Sequence, residues 1–274
     1  MVLIGLAAGS FINVVICRLP RMMDAAWRAE CIELSGETSS HEPARFDLVH
    51  PPSACPACGN RISFLENIPL LSYVMLGGRC SACRWRIPIR YPIVEAGGAL
   101  VAGVAAVYFG VGIAVAGACL LGWGLLAASV IDIETRLLPD SITMPLLWSG
   151  LVFNLNGTFA SLRDCVIGAM AGYVILWAVY HAFRLLTGRE GMGYGDFKLL
   201  ALLGAWLGWQ ALPAIVLVAS LAAAIAGMTL VACGRASRDT PLPFGPYLAA
   251  AGLLLLYVGD VVTPILIGYM IATT

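Results

Sequence analysis

The chain has 274 residues, 60% of them hydrophobic and only 12% charged, with a mean hydropathy of +0.87, too apolar for the surface of an ordinary soluble domain. Its 16 Lys and Arg balance 16 Asp and Glu, so overall charge makes no case for nucleic-acid binding. Its nine cysteines are an odd number, and four fall in two close pairs, which argues against a secreted disulfide scaffold.

Apolar residues come in successive blocks of roughly 17 to 25, the length that crosses the hydrocarbon core of a bilayer. The first block runs over 1–17 and meets its first charge only at Arg18. A cleaved leader would begin with a basic region and end at a small-residue cleavage site, so this block reads as a retained first span. From Arg18 to Arg90 hydrophobicity collapses, and the stretch holds nine arginines, seven acids and two Cys-x-x-Cys pairs. It reads as a separate polar domain, small enough to need a staple. Seven further spans are predicted at 92–110, 113–132, 141–154, 164–184, 196–207, 213–233 and 245–271,. Two of these, 141–154 and 196–207, are short for a full crossing and read as tilted, re-entrant or buried inside the bundle. There is no internal repeat or low-complexity tract.

The expected fold is therefore an all-α polytopic membrane protein. It has a bundle of about eight transmembrane helices, with a small cytoplasmic zinc-binding domain between the first and second. The expected division is 1–17 as first helix, 18–91 as polar domain and 92–274 as membrane-embedded domain. Loops rich in Lys and Arg stay in the cytoplasm. With eight spans, 18–90, 133–140, 185–195 and 234–244 are those loops. With their immediate helix ends they hold fifteen of the sixteen basic residues, Arg163 being the exception. Both termini are then expected to face outward.

Cys55-Pro56-Ala57-Cys58 and Cys80-Ser81-Ala82-Cys83 are separated by 21 residues. Two such knuckles can place four thiolates tetrahedrally around Zn²⁺. Arg61, Arg79, Arg84 and Arg86 flank them and would favour thiolate, unless they are ordinary solvated arginines. A redox dithiol or unmetallated thiols are the other readings. A Cys₄ shell leaves no open position for water, so a zinc ion here is expected to hold the domain together and do no chemistry. Cys17, Cys31, Cys119, Cys165 and Cys233 are mostly in apolar runs, where packing is the default reading.

Carboxylates in or against hydrocarbon are costly, and each is a functional candidate. Asp132 ends one apolar block and begins the segment to Asp140; Asp196 closes Gly191-Met192-Gly193-Tyr194-Gly195-Asp196 and opens the next helix. Both are expected at the cytoplasmic membrane edge. Glycines before Asp196 allow close approach of another backbone, and a helix N-terminus favours a carboxylate there. If the two acids meet within about 3 Å they cannot both ionise easily and share one proton. That is the arrangement of an aspartic protease: the ionised partner draws a proton from water while the protonated one polarises the scissile carbonyl. The bland alternative makes Asp196 an N-cap and Asp132 a helix-end charge paired with Arg136. Asp140 is expected to be an N-cap, Glu134 solvated, and Glu95 and Asp260 packing or network residues. His41, His50 and His181 share no ligand spacing.

Taken together these residues resemble the type IV prepilin peptidases, a family of bifunctional GxGD aspartic proteases of the membrane. The resemblance is carried by Gly9 through Pro20, the cysteine tetrad, Glu66-Asn67-Ile68-Pro69-Leu70-Leu71-Ser72-Tyr73, Arg90-Tyr91-Pro92-Ile93-Val94-Glu95, Asp132 through Asp140 and Gly191 through Lys198, in that order along about the first three quarters of the chain,. It implies a multi-pass enzyme of the bacterial inner membrane that cuts the basic leader of type IV prepilins or type II pseudopilins at the cytoplasmic face. It further implies methylation of the new N-terminus with S-adenosylmethionine. Carried over, the catalytic pair is Asp132 and Asp196, and the zinc ligands are Cys55, Cys58, Cys80 and Cys83. The methyltransferase seat falls in 18–90 and the first loops, with no S-adenosylmethionine ligands assigned, since no Gly-x-Gly-x-x-Gly follows a strand. Glu134 and Glu190 are candidates to attract the basic leader, with solvated surface as the plainer reading.

Three rivals stand beside it. A presenilin-like protease of other substrates shares the acid pair but needs no Cys₄ module. A proton-coupled transporter would use Asp132, Asp196 and Asp260 as a relay and show flux across the bilayer. A membrane scaffold would tolerate loss of both acids.

Overall fold

The computed structural model describes residues 1–35, 46–63, 65–188, 192–235, 237 and 242–272, with side chains as far as residue 259. Helices account for all the regular structure among these residues. They are α1 (Val2–Ser35), α2 (Leu71–Met75), α3 (Arg90–Phe109), α4 (Ile113–Thr135), α5 (Asp140–Phe153), α6 (Leu162–Thr187), α7 (Tyr194–Leu207), α8 (Leu212–Ala232) and α9 (Gly245–Ala272). Each of the eight expected spans falls on one helix, the first on only the N-terminal half of α1, and α2 lies in the polar stretch. Among the described residues, five segments are long and apolar enough to cross a membrane: α1, α3, α4, α6, and α8 with the turn before it. The chain forms two compact units, Met1–Ala106 and Val107–Thr274.

In the first unit, α1 does not stop where its apolar block stops. It continues through Pro20 to Ser35, because Met, Ala, Arg, Glu and Leu after the proline are good helix formers and Asp24 pairs with Arg28 one turn on at 2.8 Å,. Hydropathy marks the end of what lipid accepts, not the end of the helix. Arg18 fastens this helix to the polar segment, its guanidinium donating to the carbonyls of Asp47 (2.9 Å) and Pro51 (2.6 Å). Asn13 donates to the Tyr91 carbonyl at 3.0 Å and so joins α1 to α3.

In the second unit the core is α7. Its 14 residues bury Phe197, Leu200, Leu202, Leu203, Ala205 and Trp206 completely. A helix apolar all round is one surrounded by protein, and α7 packs against α5, α6, α8 and α9. Its shortness, puzzling for a lipid-facing span, follows from this interior position. Against α6 the backbones touch: a Cβ on Gly168 would lie 2.5 Å from the Gly204 carbonyl oxygen, and one on Gly204 would collide with the Gly168 carbonyl. Small residues at such a crossing let dispersion forces act between main chains.

The far end of α7 is held by Asn154, which is fully buried. Its amide donates to the carbonyls of Ala205 (3.2 Å) and Trp206 (2.9 Å), and its carbonyl accepts from the amides of Phe159 (2.8 Å) and Ala160 (3.1 Å). Trp206 in turn donates its indole N–H to the Leu146 carbonyl at 2.8 Å. We expect Asn154→Ala to leave several buried groups unpaired and cost about 3 kcal/mol or more, read as a lowered Tm in detergent. A loss under about 0.5 kcal/mol would show that water replaces the side chain.

Candidate active site and cysteine cluster

Among the described residues, two acids are buried in the second unit. Asp132, in the last turn of α4, is 5% exposed, and Asp196, in the first turn of α7, is 6% exposed. Burial of two carboxylates in an apolar bundle is costly, which marks them as functional candidates. Asp132 Oδ2 accepts the backbone N–H of Gly245 at 3.1 Å, in a buried hydrogen bond. Leu138 fills the space between the helices that carry these groups, since a Cβ on Gly195 would lie 2.7 Å from Leu138 Cβ and one on Gly245 3.2 Å from Leu138 Cδ1. The last turn of α4, the start of α7 and the start of α9 therefore converge on one spot.

The bland readings of these acids do not describe them. The N-cap of α7 is Gly193, with extended backbone, and Asp196 lies inside the helix with its amide donating to the Gly193 carbonyl at 3.3 Å. Asp132 forms no ion pair with Arg136 among the described residues. Arg136 instead ends α4 in the left-handed region, its own N–H closing on the Asp132 backbone carbonyl. Asp140 is not an N-cap either: Pro139 occupies that position, and Asp140 takes both carboxylate oxygens to Lys198 Nζ, each at 2.7 Å. Proline suits the extended cap position because its fixed φ is compatible with it, which frees the aspartate to reach across. With Asp140 58% and Lys198 26% exposed, the pair is solvent-screened. We expect Lys198→Met to change stability by less than about 1 kcal/mol, measurable by thermal unfolding.

Glu134 is exposed. Glu190 lies outside the described residues, as does the side chain of Asp260. Of the remaining cysteines, Cys119 and Cys165 are packed as expected, while Cys31 and Cys233 are exposed. Cys17 is half-buried beside Arg90, whose guanidinium donates to its sulfur at 2.8 Å.

In the first unit the sulfurs of Cys55, Cys58, Cys80 and Cys83 all lie within 4.8 Å of one another. Cys55 and Cys83 are 3.8 Å apart, about the edge of a tetrahedron with Zn–S bonds of about 2.3 Å. The two knuckles share one local design that the sequence did not announce as a repeat. In each, the first Cys donates its N–H across the turn, Cys55 to Asn60 and Cys80 to Trp85. In each, the residue after the second Cys is left-handed, Gly59 at φ 69° and Arg84 at φ 61°, and returns its N–H to the first Cys. Single antiparallel bridges, Ala54 with Arg61 and Arg79 with Arg86, close the two turns.

The amides of Cys83 and Ala82 hold the Cys80 thiol down at about 7. The Asn60 amide pulls Cys58 the same way but is outweighed, chiefly by the Cys83 sulfur, and that thiol is pushed up to about 12. Four converging thiols that resist full ionisation together fit a cation at their centre.

Glu66 ties this region together. Its carboxylate accepts the Ser63 amide at 2.8 Å, while the Ser63 hydroxyl accepts the Glu66 amide at 3.4 Å, a reciprocal cap,. A hydrogen bond from the Ser81 hydroxyl, ahead of those from Ser63, holds its carboxyl below the usual range. The Ser-x-x-Glu spacing was the available signal for this role. Gly245 had none: a Gly-Pro step reads as loop punctuation, and nothing in its spacing points to Asp132.

Fold and site together define a polytopic helical membrane protein that carries a buried carboxylate pair in one unit and a four-cysteine cluster in the other. The profile of the type IV leader peptidase family matches residues 119–228, and that of the bacterial peptidase A24 N-terminal domain matches residues 3–109. The chain is 52% identical to a prepilin leader peptidase/N-methyltransferase of Pseudomonas aeruginosa, over 96% of this chain and 90% of that one. It is 53% identical to a protein of the same name from Burkholderia pseudomallei, over 94% and 84% of the two chains. A third, from Aeromonas hydrophila, is 51% identical over 95% and 90%. The chain belongs to the type IV leader peptidase family. No solved structure matches it.

Proposed function

We propose that this protein is a prepilin leader peptidase and N-methyltransferase, with Asp132 and Asp196 as the catalytic pair. The observation that carries the reading is the burial of one carboxylate at the end of α4 and another at the start of α7, with Leu138 and the start of α9 packed beside both, in a family member. With one proton between them, the ionised carboxylate takes a proton from water as the oxygen attacks the scissile carbonyl, and the protonated one gives its hydrogen to the carbonyl oxygen. Collapse of the tetrahedral species breaks the C–N bond. The amine leaves with the proton taken from water, and the carbonyl proton returns to the pair.

S-adenosylmethionine supplies an electrophilic methyl group to the amine so released. We assign this step to the polar segment 18–91 and the peptidase to 92–274, with zinc on Cys55, Cys58, Cys80 and Cys83 as a structural staple. The clustering of fifteen of sixteen basic residues in alternate loops and their helix ends supports a multi-pass arrangement in the bacterial inner membrane with these loops in the cytoplasm. The substrates are type IV prepilins or pseudopilins. Their basic leader lies in the cytoplasm and their following helix in lipid, so the bond to be cut lies at the interface. The test is incubation of purified protein with a prepilin peptide and labelled S-adenosylmethionine, read by mass spectrometry. Cleavage with methyl addition to the new N-terminus is expected; an uncut peptide under conditions where the protein is folded would refute the reading.

A further inference from the structure

We propose that Gly245 is a positioning residue for leader cleavage: its backbone N–H and its lack of a side chain together fix Oδ2 of Asp132, leaving the other oxygen to the reaction. The inference rests on Asp132 being catalytic.

The hydrogen bond from Gly245 N to Asp132 Oδ2 spans 113 positions of chain, measures 3.1 Å and is buried. Among the described residues it is the sole donor to that carboxylate. The first N–H groups of a helix have no partner within it, and α9 begins at Gly245. Pro246 follows with no N–H to offer. Tyr247 and Leu248 turn theirs back onto the Phe244 carbonyl at 3.1 and 3.2 Å. The start of α9 is thus left with one outward donor, and it is aimed at Asp132.

The missing side chain matters as much as the donor. A Cβ at position 245 would lie 2.6 Å from Asp132 Oδ2 and 3.2 Å from Leu138 Cδ1. The backbone there is outside the left-handed region, so conformation does not call for glycine; space does. Leu138 is itself wedged against Gly195, the neighbour of Asp196. A carboxylate pushed off Gly245 therefore moves within a packed layer that includes the other half of the pair. The displaced group is the reacting one, and a misplacement of about 1 Å costs about 10²-fold in rate.

The experiment uses the full-length protein in detergent with a prepilin peptide for cleavage and a pre-cleaved peptide with a free N-terminus for methyl transfer. Gly245→Ala is expected to lower kcat for cleavage about 100-fold, change KM less than about threefold, and leave methyl transfer at the parental rate. A parental kcat overturns the proposal. So does a raised KM with kcat unchanged, which would make Gly245 a wall of the peptide site, and so does joint loss of both activities, which would make it a folding residue. Asp132→Asn and Asp196→Asn run alongside. If they still cleave, the assignment of the pair fails. If they are inactive while Gly245→Ala cleaves normally, only the role of Gly245 fails.

Discussion

Asp132→Asn and Asp196→Asn, made singly, are each expected to abolish leader cleavage, a loss of at least about 10²–10⁴-fold, while the protein stays folded and still methylates a pre-cleaved peptide. An amide neither takes a proton from water nor delivers one to a carbonyl, so either change removes half of the exchange. Folding survives because the replacement has the same shape and relieves the burial of a charge in an apolar site. At Asp132 the amide oxygen still accepts the Gly245 N–H. Cleavage is measured by mass spectrometry and folding by thermal unfolding. A variant that cuts at the parental rate removes its residue from the mechanism.

The second large effect is expected at the cysteine cluster. Cys58→Ser leaves three sulfurs and an oxygen facing one another, and we expect the protein to lose its metal and the 46–90 segment to become sensitive to protease. Structural zinc sites of this kind contribute an apparent 10 to 16 kcal/mol, roughly, in isolated zinc-finger peptides near neutral pH, which such a small polar segment has no core to replace. Elemental analysis decides the matter: parental protein without zinc refutes the assignment.

The pH dependence has a definite sign. Zinc binds these ligands as thiolates, so metal retention, and the stability that goes with it, is expected to weaken as pH falls and protons compete for the sulfurs.

Much of this architecture was readable beforehand, for reasons that differ by element. The helices facing lipid announce themselves because the bilayer demands long apolar blocks, and the breaks between them fall where charges gather. The cysteine tetrad is legible because metal coordination needs fixed spacing. Asp132 and Asp196 stand out because a carboxylate is expensive where they lie. What stayed hidden depends on contacts between distant parts of the chain. The reach of Asp140 to Lys198 displaced a local capping role that its position at the start of α5 suggested. The clasp of Asn154 on the end of α7 and the donation from Gly245 leave no periodicity to read. The extension of α1 to Ser35 was missed because hydropathy and helicity are separate properties.

The bare-backbone seam between Gly168 and Gly204 has a consequence for Asp196, two turns away on the same helix. Helices set against each other by side chains can creep as rotamers change, but one set by main chain on main chain has no such slack. With Gly172 set almost as close to the Leu200 carbonyl, the depth of Asp196 is thus pinned by main-chain contacts, and mutation on the rest of the surface of α6 can reshape what surrounds this acid without raising or lowering it.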